Sequence, residues 1–259
     1  MIRNRWCCLL LLILTALTLL FSQSQAQSDP QAVALATQAM TALTNGIPVN
    51  DVTLSGTVTW AVGSEAETGN ATFLALGTTE SRMDLMLPSG TRTEIRDASR
   101  GYPQGKWIAP SGLSGPYADY NCLTDPVWFF PGLGSLAASS KVVLSFVGQE
   151  KWNGRRVMHI HSYAYQDPSS GVDPRLSAMD FYLDATTLLP TAAVFNVHPD
   201  DNSASDILVE IDFSSYQTVN GVTVPMHIQK YVQGALSVDF TVSMATINSG
   251  VSISNFQVN

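Results

Sequence analysis

The chain has 259 residues, 45% of them hydrophobic and 13% charged, with 13 Lys+Arg against 21 Asp+Glu and a formal net charge of −8. Such a composition belongs to a folded globular protein rather than a disordered one. An acidic chain with no basic cluster is also poorly suited to nucleic acid or to an anionic membrane surface.

Residues 1–26 read as a removable export signal. Arg3 and Arg5 supply a positive start, Leu9 to Phe21 form an apolar run, and Ser24-Gln25-Ala26 places small residues where signal peptidase reads. The run is shorter than the ~20 residues that span a bilayer, so a retained anchor is not expected. Cys7 and Cys8 precede the apolar run, which excludes a lipoprotein cleavage site. Cleavage after Ala26 removes two basic and no acidic residues, leaving 233 residues and eleven Lys+Arg against 21 Asp+Glu, a net charge of −10. The expected product is periplasmic or secreted, without stable membrane insertion. Cys122 is its one cysteine, so no internal disulfide can hold the fold. We expect that thiol to be buried and inert.

A helix is predicted over 30–44. Ser28 or Asp29 can cap it, Pro30 suits its first position, and Asn45-Gly46 ends it. Val33, Ala36, Met40 and Leu43 form its apolar stripe. From Asp51 the hydrophobic period changes to two. Val52, Leu54, Val58, Trp60 and Val62 alternate with Thr and Ser, and further strands are predicted through Ala71–Ala75, Met83–Leu87, 91–97 and up to Ile108. Strands follow near 141–149, 155–165, 176–184, 190–198, 205–216, 222–233 and 235–247. Asn153-Gly154 and Asn220-Gly221 supply hairpin turns. About eleven strands without a strand–helix–strand rhythm predict a mainly β (α+β) fold, an antiparallel sheet packed on the N-terminal helix. Residues 109–140 interrupt the pattern as an irregular insertion rich in Gly, Pro and Ser. Its Trp128, Phe129 and Phe130 are expected either to cover the mouth of the sheet as a lid or to plug it.

No motif with a strong catalytic meaning is present. His159 and His161 lie two apart on one strand, share a face, and are candidate zinc ligands if His198, His227 or Asp180 supplies a third. Two solvated histidines account for the pattern equally well. Gly132 to Ala137 matches a dinucleotide fingerprint but lacks its strand–helix context. The acidic run Asp200–Asp206 lacks the Gly and Glu of a calcium loop and is expected to be a solvated hairpin. No cofactor is expected.

Two stretches carry a family resemblance. Asp212-Phe213-Ser214-Ser215-Tyr216-Gln217-Thr218-Val219-Asn220-Gly221-Val222-Thr223-Val224-Pro225 resembles the Y-x-x-V-N-G-V-x-x-P hairpin of outer-membrane lipoprotein-sorting proteins. Tyr182-Leu183-Asp184 with Thr187-Leu188-Leu189-Pro190 resembles the hairpin that precedes it. With the exported chain, the N-terminal helix and the long meander, these are similar to the LolA/LolB-like superfamily of periplasmic lipoprotein carriers. The resemblance implies one domain over 27–259, a strongly curved incomplete β-barrel with helices on its concave side and an apolar cavity between. It implies lipid or lipoprotein acyl chains as ligands, and an envelope protein as a further partner. On this frame the cavity candidates are Trp60, Phe73, Met83, Leu85, Phe181, Phe195 and Phe213 at inward positions, together with Trp128, Phe129 and Phe130. The expected function is a non-enzymatic carrier of an apolar ligand. The alternatives are an exported hydrolase or metal enzyme using His159 and His161, and a structural envelope domain.

Overall fold

The computed structural model describes residues 27–97, 104–124, 142–164 and 173–258. The predicted signal, the Trp128–Phe130 aromatics and the Gly132–Ala137 motif lie outside the described residues. Helix α1 spans Pro30–Thr44. It starts where expected: Asp29 accepts the Gln31 N–H at 2.8 Å and Pro30 takes the first position. It ends with Asn45 and Gly46 in the left-handed region, at φ 51° and 77°. The buried stripe is Ala32, Leu35, Ala36, Ala39 and Leu43. The predicted Val33 and Met40 flank it, half-buried.

The strands are β1 (Asp51–Val62), β2 (Glu65–Leu76), β3 (Glu80–Leu87), β4 (Gly90–Asp97), β5 (Gln104–Ile108), β6 (Ser114–Tyr117), β7 (Val142–Trp152), β8 (Arg155–Ala164), β9 (Met179–Asp184), β10 (Pro190–Val197), β11 (Ile207–Ser214), β12 (Gln217–Val219), β13 (Val222–Val224), β14 (His227–Val232) and β15 (Ala235–Ile247). Thirteen form one antiparallel sheet in the order β6-β5-β4-β3-β2-β1-β15-β14-β11-β10-β9-β8-β7. β6 and β7 remain as edges, so the curved sheet does not close into a barrel. The count exceeds the expected eleven for two reasons. The predicted 222–233 strand is divided at Pro225 into β13 and β14, and Gln217–Val219, expected outside any strand, pairs with β13 as β12 in a separate hairpin. The region 109–124, expected to be irregular, adds β6 and a 3-10 turn at Asp119–Leu123.

The core lies on the concave face. Inward residues of nearly every strand join the α1 stripe and Val222 and Val224 of the β12–β13 hairpin in one buried cluster. Phe73 and Phe240 meet at its centre with ring centroids 4.3 Å apart. The N-terminus of α1 also protects an edge: Ser28 and Asp29 hydrogen-bond the backbone of β7 at Val142, Leu144 and Phe146. Of the short helices expected on the concave side, Ile253–Phe256 lies instead on the convex face, where Arg82 Nη1 donates to the Asn255 carbonyl at 3.1 Å. The two resemblance motifs are joined to each other. Asn220-Gly221 turns at φ 51° and 84°, Asp184 Oδ1 accepts the Thr186 and Thr187 N–H groups at 2.9 Å, and the buried Tyr216 hydroxyl donates to the Pro190 carbonyl at 2.7 Å.

Candidate ligand-binding cleft

Register decides which side chains enter the concavity, because directly opposed residues in an antiparallel ladder share a face. Phe73 opposes Met83, and Met83 opposes Glu94. Leu85 opposes Arg92, and Ser81, which faces Ala75, opposes Arg96. Three consecutive inward positions of β4 are therefore ionisable. On the other side of the concavity Lys230 opposes both Ile211 and Val238, so it too points inward. Trp60 opposes Val238 and completes the ring.

Trp60, Met83, Arg92, Glu94, Arg96, Lys230 and Val238 line a cleft of about 540 Å³. Its apolar wall is Trp60, Val62, Met83, Val197, Val232 and Val238; its polar wall includes Arg92, Glu94, Arg96, His198 and Lys230. Glu94 sits between two guanidiniums: Arg92 Nη2 is 2.7 Å from Oε1 and Arg96 Nη2 is 3.6 Å from Oε2. Burial works against the Arg92 charge, but the Glu94 carboxylate outweighs it and holds Arg92 above the ordinary arginine value. Arg96, 4% exposed as a side chain, stacks 3.6 Å from the Tyr117 ring, and Arg92 lies 5.3 Å from the Trp60 ring.

The cleft is walled where the β6 end of the sheet meets the loop after β10. Asn121 Nδ2 donates to the His198 carbonyl at 2.7 Å, and the His198 N–H donates back to Asn121 Oδ1 at 2.8 Å. The Tyr120 hydroxyl donates to the Pro199 carbonyl at 2.6 Å, and the Ala118 N–H to Asp200 Oδ1 at 2.9 Å. The acidic run Asp200–Asp206 is exposed except for the half-buried Ser205, as expected of a solvated loop, and is tied down at Asp200 and by Arg175, which binds both Ser203 and Asp206. His198 is fully buried as a side chain. Its Nδ1 is 3.0 Å from the Ser205 carbonyl, while Nε2 is buried without a hydrogen-bond partner among the described residues. Cys122 beside this wall is buried and free of disulfide.

Of the seven described cavity candidates, Trp60 and Met83 line the cleft. Phe73, Leu85, Phe181, Phe195 and Phe213 are inward as expected but are close-packed in the core under α1 and the hairpin. Trp128, Phe129 and Phe130 lie outside the described residues. Sequence reasoning missed Arg92, Glu94, Arg96 and Lys230. For Lys230 a signal existed, since it keeps phase with the apolar Ile228 and Val232.

On the convex face, His159 and His161 do share a face, and both hydrogen-bond Asp180 Oδ1, at 2.7 and 2.9 Å. His159 Nδ1 lies 2.7 Å from Glu150 Oε1, and its ring packs on Tyr182, which stacks on Trp152 with centroids 4.0 Å apart. The Asp180 hydrogen bond raises the His161 pKa against opposing burial. Burial pushes Asp180 up, but its two imidazole partners outweigh this and lower it. Hydrogen bonds to the shared Asp180 link the two histidines. No group of three or more His, Cys, Asp or Glu with metal-holding geometry occurs among the described residues.

No family model matches the sequence, and no curated protein does. Solved structures do match over nearly the whole chain. One is a domain assigned as an outer membrane lipoprotein-sorting protein from Vibrio parahaemolyticus, 12% identical, covering 87% of this chain and 96% of that one at a TM-score of 0.55. A DUF1329 family protein from Desulfovibrio piger is 10% identical, covers 89% and 98%, and has a TM-score of 0.58. A LolA superfamily protein from Nitrosomonas europaea is 10% identical, covers 88% and 97%, and has a TM-score of 0.54. These likenesses, with the open thirteen-stranded antiparallel sheet wrapped on one N-terminal helix, give the chain a LolA-like fold.

Proposed function

We propose that the chain is an exported carrier or binder of an apolar ligand, a lipid or a lipoprotein acyl chain, in the cell envelope, held in the cleft beside Trp60 and Met83. The observation that carries this reading is the cleft itself. It is concave, about 540 Å³, and apolar over one wall, within the ~300–1,000 Å³ range of small-molecule sites. The likeness to a lipoprotein-sorting domain and to a LolA superfamily protein supports the same ligand class. The predicted signal at 1–26 supplies the compartment, and among the described residues no helix is long and apolar enough to cross a membrane.

Native mass spectrometry of the protein purified from an envelope fraction in mild buffer tests the proposal. Co-purifying lipid that exchanges with added fatty acid is the expected result. Protein without any bound lipid, and unable to bind a fluorescent fatty-acid probe, would contradict it. Stoichiometric zinc in place of lipid would favour the enzymatic alternative at His159 and His161.

A further inference from the structure

We propose that a pocket on the convex face, between the β7–β8 hairpin and strands β10, β11 and β14, binds a neutral saccharide, with Trp152, Arg155, Asp212 and Gln229 holding its hydroxyls. The pocket measures about 200 Å³, less than half the cleft, and suits a single small ring rather than a long chain. Register assembles it. Trp152 opposes Arg155 across β7 and β8, Ala192 opposes both Tyr182 and Asp212, and Asp212 opposes Gln229. Trp152 stacks on Tyr182 with centroids 4.0 Å apart. The aromatic pair and the Asp212 carboxyl therefore stand on either side of Ala192. Six of the eight residues lining the pocket are polar, and Phe213, one of the other two, turns its side chain into the core on the opposite face. Such a wall rejects an acyl chain.

Two polar atoms of the lining residues are left over. Trp152 Nε1 and Asp212 Oδ1 are buried without a hydrogen-bond partner among the described residues. Leaving such atoms unsatisfied is costly, and native proteins keep few of them. The indole N–H can only donate, whereas the carboxyl oxygen accepts, so one ligand completes both if it carries groups that accept and donate. Hydroxyls do both. Burial first, then the charge and hydrogen bond of Glu210, raises Asp212 to about 7, with Arg155 opposing. Near neutral pH the carboxyl is therefore partly protonated and can donate as well as accept. With the Arg155 cation nearby, the pocket favours neither a strong anion nor a strong cation. Gln229 and Asn153 add amides, which also donate and accept. A polyhydroxyl ring uses all of these, with its C–H surface against the half-buried indole and its hydroxyls on the polar groups.

Titration of the full mature chain with glucose, galactose, mannose and N-acetylglucosamine, followed through the Trp indole N–H resonances in heteronuclear NMR, tests this. At least one sugar should shift the Trp152 resonance saturably, and Trp152→Phe identifies that resonance by its disappearance. Affinity for that sugar should fall at least about fivefold in Trp152→Phe, which keeps a ring and removes the N–H, and in Arg155→Gln. A circular-dichroism melt establishes that each variant is folded. Arg155 is exposed at the end of a hairpin, so its variant carries the test even where the Trp152 variant does not fold. Absence of any saturable shift with the four sugars would overturn the proposal, as would sugar affinity unchanged in both variants. A response to acetate, phosphate or ethylammonium with none to the sugars would overturn it too, and would assign the pocket to a charged ligand.

Discussion

Two regions of one concave face differ in what fills them. In one, the inward residues Phe73, Phe181, Phe240, Ile211 and Leu183, each at most 1% exposed, share a buried cluster with the α1 stripe and with Val222 and Val224 of the β12–β13 hairpin. They are close-packed. At the other region the inward residues are Trp60, Arg92, Glu94, Arg96 and Lys230, around an open cleft that no residue of α1 or the hairpin lines. Strand alternation is the same in both. The difference lies in whether a covering element supplies apolar side chains to complete the packing. A curved sheet therefore does not become a binding site along its whole length. It does so where the covering layer stops and the inward positions become charged.

The largest effect should come from the packed region. Phe240→Ala should cost about 3–5 kcal/mol, as removal of a large buried aromatic does, read by denaturant unfolding. Fatty-acid affinity of the protein that remains folded should stay within a factor of about two. An equal loss of affinity would mean that the ligand enters the packed region and would dissolve the distinction. Next is the junction that holds the hairpin over the core. Tyr216→Phe removes the donor to the Pro190 carbonyl and should cost about 1–3 kcal/mol. Hydrogen exchange should increase in β12 and β13 before β1 and β2.

A half-buried carboxyl away from the cleft serves as the control. On the convex face Asp212 is raised from 3.8 to about 7, first by burial and then by the neighbouring Glu210, with Arg155 opposing. A carboxyl whose folded pKa is raised contributes most below its unfolded value, and that contribution is lost as pH rises through about 7. Asp212→Asn should therefore stabilise the protein at pH 8 and have little effect at pH 4. The gain should be about 1 kcal/mol, or a few degrees of melting temperature, once solvent screening of this half-exposed group is counted. Fatty-acid affinity should not change. An identical shift at both pH values would remove the titration argument. The smallest stability change belongs to the open region: Lys230→Met should move unfolding by under about 1 kcal/mol, because this half-buried side chain lines an open cleft and not the packed core. A loss as large as that of Phe240→Ala would make Lys230 part of the packed core.

The sheet was largely legible because period-two alternation reports facing direction, and Asp29, Pro30, Asn45 and the Asn-Gly turns each act through local backbone chemistry. The inward side of Phe181 and Phe195 was read correctly for that reason. Whether they lined a cavity was not legible, since filling depends on α1 and on a hairpin that arrives from residues 217–224. The helix stripe is rotated from the one read by hydrophobicity: Ala32 and Ala39 are buried while Val33 and Met40 are half-buried, a choice made by tertiary packing. Arg92, Glu94 and Arg96 were missed for another reason. In Arg92-Thr93-Glu94-Ile95-Arg96 the one strongly apolar residue, Ile95, faces outward, so alternation alone assigns the charges to solvent. Only the register with Leu85 and Met83 turns them inward.

The central claim is that the ligand occupies the charged region and not the packed one. Photo-cross-linking with a hexadecanoate carrying a diazirine in its chain, followed by peptide mapping, tests this most directly. The account predicts label on β1, β3, β14 and β15 at Trp60, Met83, Val232 and Val238, competed by unlabelled hexadecanoate. Competed label concentrated on Phe181, Phe195 or Phe213, with none at Trp60 or Met83, would contradict it.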